Sequence, residues 1–242
     1  MLAEAASAVR GNRREAAFFV FQERVTHREW DAAGRLAASG ETGYEVLMIE
    51  GEPYHRRVSR NGQALAGEEL DEEDRRMRQV AEFRRRTSIE ERRRRIAAAE
   101  RRRLRFDVRT LSEQHLARFD GETECPTGPC LVLAVWPRPK APKPRHPNDW
   151  TLALRGRIWL DRETRHPVRA EMEQAFDFYG QPAGSRTVFE YARVEGVWLI
   201  QRIHSSVSER RGRAVIRRET AQDYSGYQRF RADSVIVFRE EP

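Results

Sequence analysis

Residues 150–227 read WTLALRGRIWLDRETRHPVRAEMEQAFDFYGQPAGSRTVFEYARVEGVWLIQRIHSSVSERRGRAVIRRETAQDYSGY. Apolar and polar residues alternate through much of this stretch, as they do in strands with one buried and one wet face. Turn-forming residues separate the alternating segments, and Glu195-Gly196 and Arg211-Gly212 are typical of two-residue hairpin loops. We therefore predict an antiparallel meander with strands at Thr151–Leu160, Pro167–Tyr179, Arg186–Val194, Val197–Glu209 and Arg213–Tyr224.

Shorter strand signals occur outside this meander. Asn61-Gly62 is a strong hairpin signal and follows a segment that already contains one turn at Gly51-Glu52-Pro53. With the meander, these signals predict a single antiparallel sheet of roughly nine to eleven strands. The additional strands are predicted at Ala16–Thr26, Tyr44–Glu50, Tyr54–Arg60, Arg105–Thr110, Leu131–Trp136 and Val235–Phe238.

Two regions have helical character. Leu2–Arg14 fits a short amphipathic helix, and residues 67–105 lose nearly all aromatics while Glu, Arg and Ala dominate. Thr87 or Ser88 fits a second N-cap within this long segment, which is one helix or two. The predicted fold class is mainly β (α+β): a single curved antiparallel sheet or unclosed β-barrel, with the long Arg-rich helical segment packed on it or capping it.

The length of 242 residues fits one domain over residues 1–242, with residues 67–105 as a helical insertion and Pro137–Pro147 as an extended Pro-rich loop. The longest apolar runs have six residues, which excludes a spanning helix. The first residues show no signal peptide, although a mature exported protein would begin just after one.

The chain has a formal net charge of +7, and only two of its 45 basic residues, Lys140 and Lys143, are lysines. Arginine suits bidentate binding of phosphate and carboxylate, but a bias spread over every segment also fits coding composition. The Arg-rich segment Arg92–Arg105 fits an anionic membrane or nucleic-acid surface, or simply the solvated side of a packed helix. It lacks aromatic residues for base stacking, so nucleic acid is the less favoured partner.

No catalytic or metal-binding motif is recognisable. The six histidines do not fall at helical metal-ligand spacing, which predicts no metal and no cofactor. Asp161, Glu163 and His166 cluster in one turn and form a weak acid/base candidate. Cys125 and Cys130 are the only cysteines; they are read either as a disulfide closing a small loop, which implies an oxidising compartment, or as two free thiols.

Three segments resemble a known family: Gly156-Arg-Ile-Trp-Leu-Asp-Arg-Glu-Thr-Arg-His-Pro-Val-Arg-Ala-Glu171, Phe189-Glu-Tyr-Ala-Arg-Val-Glu-Gly-Val-Trp-Leu-Ile200 and Asp223-Tyr-Ser-Gly-Tyr227. They resemble the hairpin and strand patterns of the outer-membrane lipoprotein-sorting and carrier proteins, the LolA/LolB-like family. The resemblance implies an unclosed β-barrel capped by helices, whose apolar cavity shields acyl chains in the periplasm. The chain departs from the family at Ile200, where proline is common, and in its Arg-rich helix.

We therefore expect a non-enzymatic periplasmic binding or carrier protein whose partner is a lipid or an acylated protein. The alternative is a basic adaptor that docks on an anionic membrane or nucleic acid through Arg92–Arg105. The predicted residues either line a ligand cavity, beneath a helix that acts as a lid, or form only the core. They are Met172, Phe176, Phe178, Phe189, Tyr191, Trp198 and Ile200.

Overall fold

The computed structural model describes residues 1–103, 108–139, 147–178, 182–211 and 214–230. The predicted strand Val235–Phe238 and most of the Pro-rich loop lie outside these residues. The strands are β1 (Phe19–Trp30), β2 (Leu36–Ile49), β3 (Glu52–Arg60), β4 (Gln63–Ala64), β5 (His115–Cys125), β6 (Gly128–Pro137), β7 (Leu154–Asp161), β8 (Pro167–Gln174), β9 (Arg186–Val194), β10 (Val197–Arg211) and β11 (Ala214–Arg229). The helices are α1 (Leu2–Ala16), α2 (Glu68–Arg86), α3 (Ile89–Arg103) and α4 (Val108–Gln114), with a 3-10 helix at Pro147–Ala153.

Within the described residues, all eleven strands form one antiparallel sheet in the order β4-β3-β2-β1-β11-β10-β9-β8-β7-β6-β5. The sheet does not close, so β4 and β5 are its edges. This confirms the predicted fold class of an open antiparallel sheet with packed helices. Among the described residues, no helix is both long and apolar enough to span a bilayer.

Positive φ angles at paired turn residues set the hairpins. Asn61 and Gly62 have φ values of 50° and 78°, and Glu195 and Gly196 have values of 50° and 81°. Two positive φ angles in a two-residue loop match the right-handed twist of the strands they join, which is why both hairpins were predictable. Gly156 serves a different purpose, because a Cβ there would lie 1.9 Å from the Glu171 backbone oxygen of the neighbouring strand.

Several local predictions were wrong. Ala16 belongs to α1, β1 continues to Trp30 and β2 begins at Leu36, so the first two strands are longer than predicted. Val108–Thr110 begins helix α4 rather than a strand, because Val108 and Leu111 turn the same side of one short helix into the core. Thr151–Ala153 belongs to the 3-10 helix, and β8 ends at Gln174 rather than at Tyr179. The sequence also gave no signal for β5, whose residues are mostly exposed at the sheet edge.

Helices α1 and α4 cover one face of the sheet over strands β6 to β10. The core that they form with the sheet takes small residues from α1 and larger ones from the strands. Its buried members are Leu2, Ala5, Ala6, Val108, Leu111, Leu131, Leu133, Val135, Leu154, Ile158, Leu160, Ala170, Met172 and Phe189.

Helix α2 covers the other face of the sheet, at the β2–β3 hairpin. Ile49 and Tyr54 pack there against Met77 and Ala81 of α2. Cross-strand partners lie on the same face of a sheet, and Phe189 is connected in this way through β10, β11 and β1 to Thr42 of β2. The even-numbered residues of β2 therefore share the face of α1, and the odd-numbered ones, such as Ile49, lie on the opposite face. Among the described residues, the core beneath α2 involves β2 and β3, and we call the rest of the α2 side of the sheet the open face.

Candidate functional site

The predicted lining residues lie mainly in the core beneath α1 and α4. Met172 and Phe189 are each 2% exposed and belong to the main cluster. Tyr191 and Ile200 pack against that cluster and are half-buried. The structure thus brings these four residues together, in contact with helices.

The remaining three predicted residues occupy separate places. Trp198 is buried, its ring stacks on His166 at 5.4 Å, and its indole N–H donates to Thr164 Oγ1 at 3.2 Å. The Trp198 backbone is held by Asn12 of α1, whose Nδ2 donates to the carbonyl at 2.6 Å and whose Oδ1 accepts from the N–H at 2.8 Å. Phe178 is buried and Phe176 is 41% exposed.

The turn that carries Asp161 and His166 serves the fold. Asp161 Oδ1 accepts hydrogen bonds from the backbone N–H and the hydroxyl of Thr164, both at 2.7 Å. His166 points into the core, where its Nδ1–H donates to the Pro167 carbonyl at 2.8 Å. Burial lowers the pKa of His166 to about 4, so the ring is neutral near pH 7. This geometry gives Asp161 and His166 no common acid/base site.

Cys125 and Cys130 are joined by a disulfide that closes the β5–β6 hairpin. Cys130 is fully buried beside Val168 and Trp198. In the part of the chain that the structure describes, no group of three or more His, Cys, Asp or Glu side chains is placed to hold a metal ion.

The open face contains a cleft of about 530 Å³, which we call the charged groove. It crosses strands β8, β9, β10, β11, β1 and β2. Strands β8 to β10 carry the α1 and α4 core on the opposite face, and α2 packs on this face at the β2–β3 hairpin. The lining of the charged groove includes four arginines and four carboxylates, so it is nearly balanced in charge. The lining residues are Arg24, Thr26, Arg28, Glu41, Arg169, Val188, Glu190, Arg202, His204, Glu219, Ala221 and Asp223.

One wall of the charged groove is a row of alternating charges across five strands. Arg169, Glu190, Arg202, Asp223 and Arg24 are successive cross-strand partners in the sheet register. Arg169 bonds Glu190 at 2.8 Å, while Asp223 accepts from Arg202 at 2.7 Å and from Arg24 at 3.3 Å. Opposite charges at directly paired positions stabilise a sheet, and we call this row the charge ladder.

The floor of the charged groove is the next row of the register. Val188, His204, Ala221 and Thr26 are successive partners there, and Glu41 ends the row on β2. Apart from Glu41, this row contains no carboxylate and no guanidinium; Ala221 and Thr26 have short side chains, and His204 has the largest. We call Val188, His204, Ala221 and Thr26 the neutral furrow.

The second wall contains charges that are less completely paired. Glu219 bonds Arg217 and lies 3.9 Å from the His204 ring. Arg28 is its cross-strand partner in the register. Among the described residues, neither Arg28 nor Glu41 has an ion-pair partner within 4.0 Å. With respect to the part of the chain that the structure describes, the β1–β2 end of the charged groove therefore offers a cation, Arg28, and an anion, Glu41, that are not ion-paired.

The Arg-rich helix α3 uses part of its charge to dock on the sheet. Arg95 forms a bidentate pair with buried Glu52, at 2.8 and 2.5 Å, and Arg84 and Arg92 lie 3.9 Å from the same carboxylate. The Arg95 hydrogen bonds, with the charges of Arg84 and Arg92, lower the pKa of Glu52. Arg93 and Arg94 are exposed, and the helix side chains from residue 97 onward lie outside the described residues.

No protein-family model and no curated protein matches this chain. Solved structures match it over most of its length with low similarity. A DUF1329 family protein from Desulfovibrio piger is 14% identical with a TM-score of 0.37, covering 96% of this chain and 94% of that one. The Pseudomonas aeruginosa MucA/MucB complex contains a chain that is 12% identical with a TM-score of 0.25, covering 95% of this chain and 100% of that one. Lipovitellin is 11% identical with a TM-score of 0.29, covering 91% of this chain and 26% of the lipovitellin chain.

At these values the comparisons assign no family, and membership of the LolA/LolB-like family stays a prediction. The charged groove was also not predicted from the sequence. Its residues alternate with apolar ones and look like an ordinary solvated strand face, as at Arg169 and Glu190. Only the cross-strand register brings them into one row.

Proposed function

We propose that this protein is a non-enzymatic binding protein whose ligand lies in the charged groove. The observation that supports the proposal is the open face of the sheet, where residues of six strands line a cleft of about 530 Å³. Concave sites with a few placed polar groups are the usual form of ligand sites. A sheet is also rigid enough to hold such groups in fixed positions.

Binding suits the charged groove better than catalysis does. Arg24, Arg169 and Arg202 are each paired with a carboxylate, so their charges stabilise the sheet. The imidazole of His204 lies 3.9 Å from Glu219, and that carboxylate is also bonded to Arg217. This arrangement provides fixed contacts for a ligand rather than an activated group.

We place the protein in the periplasm. The Cys125–Cys130 disulfide supports this proposal, because such bonds form and persist in oxidising compartments. The resemblance to periplasmic carrier proteins points to the same compartment.

The proposal is tested by native mass spectrometry of protein purified from the periplasm. Wild-type protein should retain a bound species, and Ala221→Phe, which fills the neutral furrow, should lose it. The matched control is Ala38→Phe, because Ala38 is exposed and faces away from the charged groove. Loss of the bound species in both variants, or in neither, would contradict a ligand in the groove.

A second candidate is the carriage of an acyl chain or lipoprotein beneath α1. The observation that favours it is that α1 buries only Leu2, Ala5 and Ala6 among its residues. These small side chains belong to the same core cluster as the larger Met172 and Phe189. A helix held by so little apolar surface is suited to act as a lid, and its opening would expose the predicted lining residues.

A fluorescent fatty acid tests this second candidate. Asn12→Ala removes both hydrogen bonds that hold α1 to the Trp198 backbone, so it should favour lid opening and strengthen fatty-acid binding. Arg13→Ala is the control, because Arg13 is an exposed residue of the same helix. Absence of fatty-acid binding in wild type and in Asn12→Ala would exclude the lid.

A further inference from the structure

We infer that the ligand of the charged groove is an extended polypeptide segment that lies across the strands of the open face and carries both an acidic and a basic side chain at its β2 end. This inference rests on the proposed function and adds the chemical class of the ligand. It depends on the shape of the neutral furrow, on the chemistry of its walls, and on the charges of Arg28 and Glu41 at one end.

The shape of the neutral furrow fits a linear chain. The four residues of the neutral furrow and Glu41, which continues their row on β2, occupy five adjacent strands. Four inter-strand spacings of about 4.8 Å give a length of about 19 Å. An extended polypeptide advances about 3.3 Å per residue, so about six residues fill this length. The short side chains of Ala221 and Thr26 leave room along the floor, while the flanking arginines and carboxylates form its sides.

The chemistry of the walls favours a polypeptide over an acyl chain. The charge ladder alternates guanidinium donors with carboxylate acceptors, at Arg202 and Asp223 for example. A peptide backbone carries both N–H donors and C=O acceptors, and can bond to both kinds of group. An acyl chain would remove water from these charges and give no hydrogen bond in return, which is costly.

The β1–β2 end of the charged groove supplies the charge complementarity. Arg28 and Glu41 have no ion-pair partner among the described residues, and they lie on adjacent strands at the end of the neutral furrow. Arg28 is suited to bind a carboxylate, and Glu41 a basic side chain. Because the two charges have opposite sign, a segment with one acidic and one basic residue matches them better than a segment of a single charge sign.

The test is selection of random six-residue peptides, displayed on phage, against the immobilised full chain. A selected peptide is then synthesised, and its affinity for each variant is measured by fluorescence anisotropy. Ala221→Phe should weaken binding at least about tenfold, a loss of 1.4 kcal/mol. Thr26→Phe should do the same at a second position of the neutral furrow, while Ala38→Phe on the opposite face should bind like wild type. Circular dichroism and urea midpoints establish that each variant is folded.

Glu41→Gln tests the charge complementarity directly. Affinity for the selected peptide should fall in this variant, and the difference from wild type should shrink as salt is raised, because exposed charges are screened. Enriched peptides should contain both an acidic and a basic residue.

Two results would overturn the inference. The first is that no peptide is enriched more on immobilised wild-type protein than on immobilised Ala221→Phe. The second is a selected peptide that binds Ala221→Phe and Thr26→Phe with wild-type affinity. If native mass spectrometry still shows a species lost only in Ala221→Phe, the groove binds another class of ligand and the proposed function stands. If the peptide selection fails and wild-type protein retains no bound species in native mass spectrometry, both proposals fail.

Discussion

At the residue scale, the aromatic residues of the meander illustrate how burial separates similar side chains. Phe189 is 2% exposed within the main core, whereas Phe176 is 41% exposed, although both fit the same alternating pattern. Trp198 is buried and also joined by hydrogen bonds to Asn12 and Thr164. The consequences of truncating these side chains should therefore differ sharply.

Phe189→Ala should lower the free energy of unfolding by about 3–5 kcal/mol, because it leaves a cavity in the packed core. Phe176→Ala is the control and should change it by no more than about 0.5 kcal/mol. Urea denaturation followed by tryptophan fluorescence measures both. If Phe189→Ala abolished ligand binding while the urea midpoint stayed at the wild-type value, Phe189 would line a ligand site rather than form the core.

The buried His166 should make stability depend on acid. Its pKa is lowered from 6.5 to about 4 in the folded protein, so the unfolded chain binds this proton first as pH falls. The free energy of unfolding is therefore at its full value above about pH 6.5. It falls by about 3 kcal/mol as the pH is lowered from 6.5 to 4. His166→Phe, which keeps a ring against Trp198, should flatten this part of the profile. His27→Phe, at an exposed position, should not. Equal slopes in the two variants would contradict the assignment.

At the element scale, the docking of α3 depends on one carboxylate. Glu52→Gln leaves Arg84, Arg92 and Arg95 without a charged partner at a buried position. We expect the protein to lose about 3 kcal/mol of stability. Hydrogen exchange should accelerate in Ile89–Arg103 but not in the central strands.

Glu90→Gln is the matched control for Glu52→Gln, because Glu90 is an exposed residue on α3 itself. Its exchange pattern should equal that of wild type. Unchanged exchange of α3 in Glu52→Gln would show that other contacts hold the helix on the sheet.

The β5–β6 hairpin depends on its disulfide in a limited way. The bond closes a short loop, so replacing both cysteines by serine should cost about 2 kcal/mol and leave the fold intact. Thiol titration of native, unreduced protein should find no free thiol. Two titratable thiols would remove the support that the disulfide gives to a periplasmic location.

Prediction from the sequence succeeded where local chemistry determines structure. Strand β9 was predicted at Arg186–Val194, its observed bounds, because the Glu195-Gly196 turn ends it. The helical segment was predicted from composition as one helix or two, and the structure has two, α2 and α3. The second N-cap was predicted at Thr87 or Ser88, and Ser88 Oγ accepts from the Glu91 N–H at 3.2 Å. Strand β5 gave no signal because an edge strand buries few residues.

At the scale of the whole molecule, the sequence predicted which residues alternate but not which face remains open. Met172 and Phe189 were predicted either to line a cavity beneath a helix or to form core; they lie in the core that α1 and α4 share with the sheet, and their role in binding stays a prediction. The charged groove depends on pairings between residues far apart in sequence, such as Arg24 with Asp223. Strands β1 and β11 are not joined by a hairpin, so no turn fixes their register as a turn does within a hairpin.

The most direct test of a ligand in the charged groove is photocrosslinking within the periplasm. A benzophenone amino acid is placed at Ala221, in the neutral furrow, or at Ala38, on the opposite face. We predict a specific adduct at position 221 that is absent at position 38 and is lost when Thr26→Phe is added. An adduct of equal yield at both positions, or an adduct at position 38 alone, would contradict a ligand site on the open face.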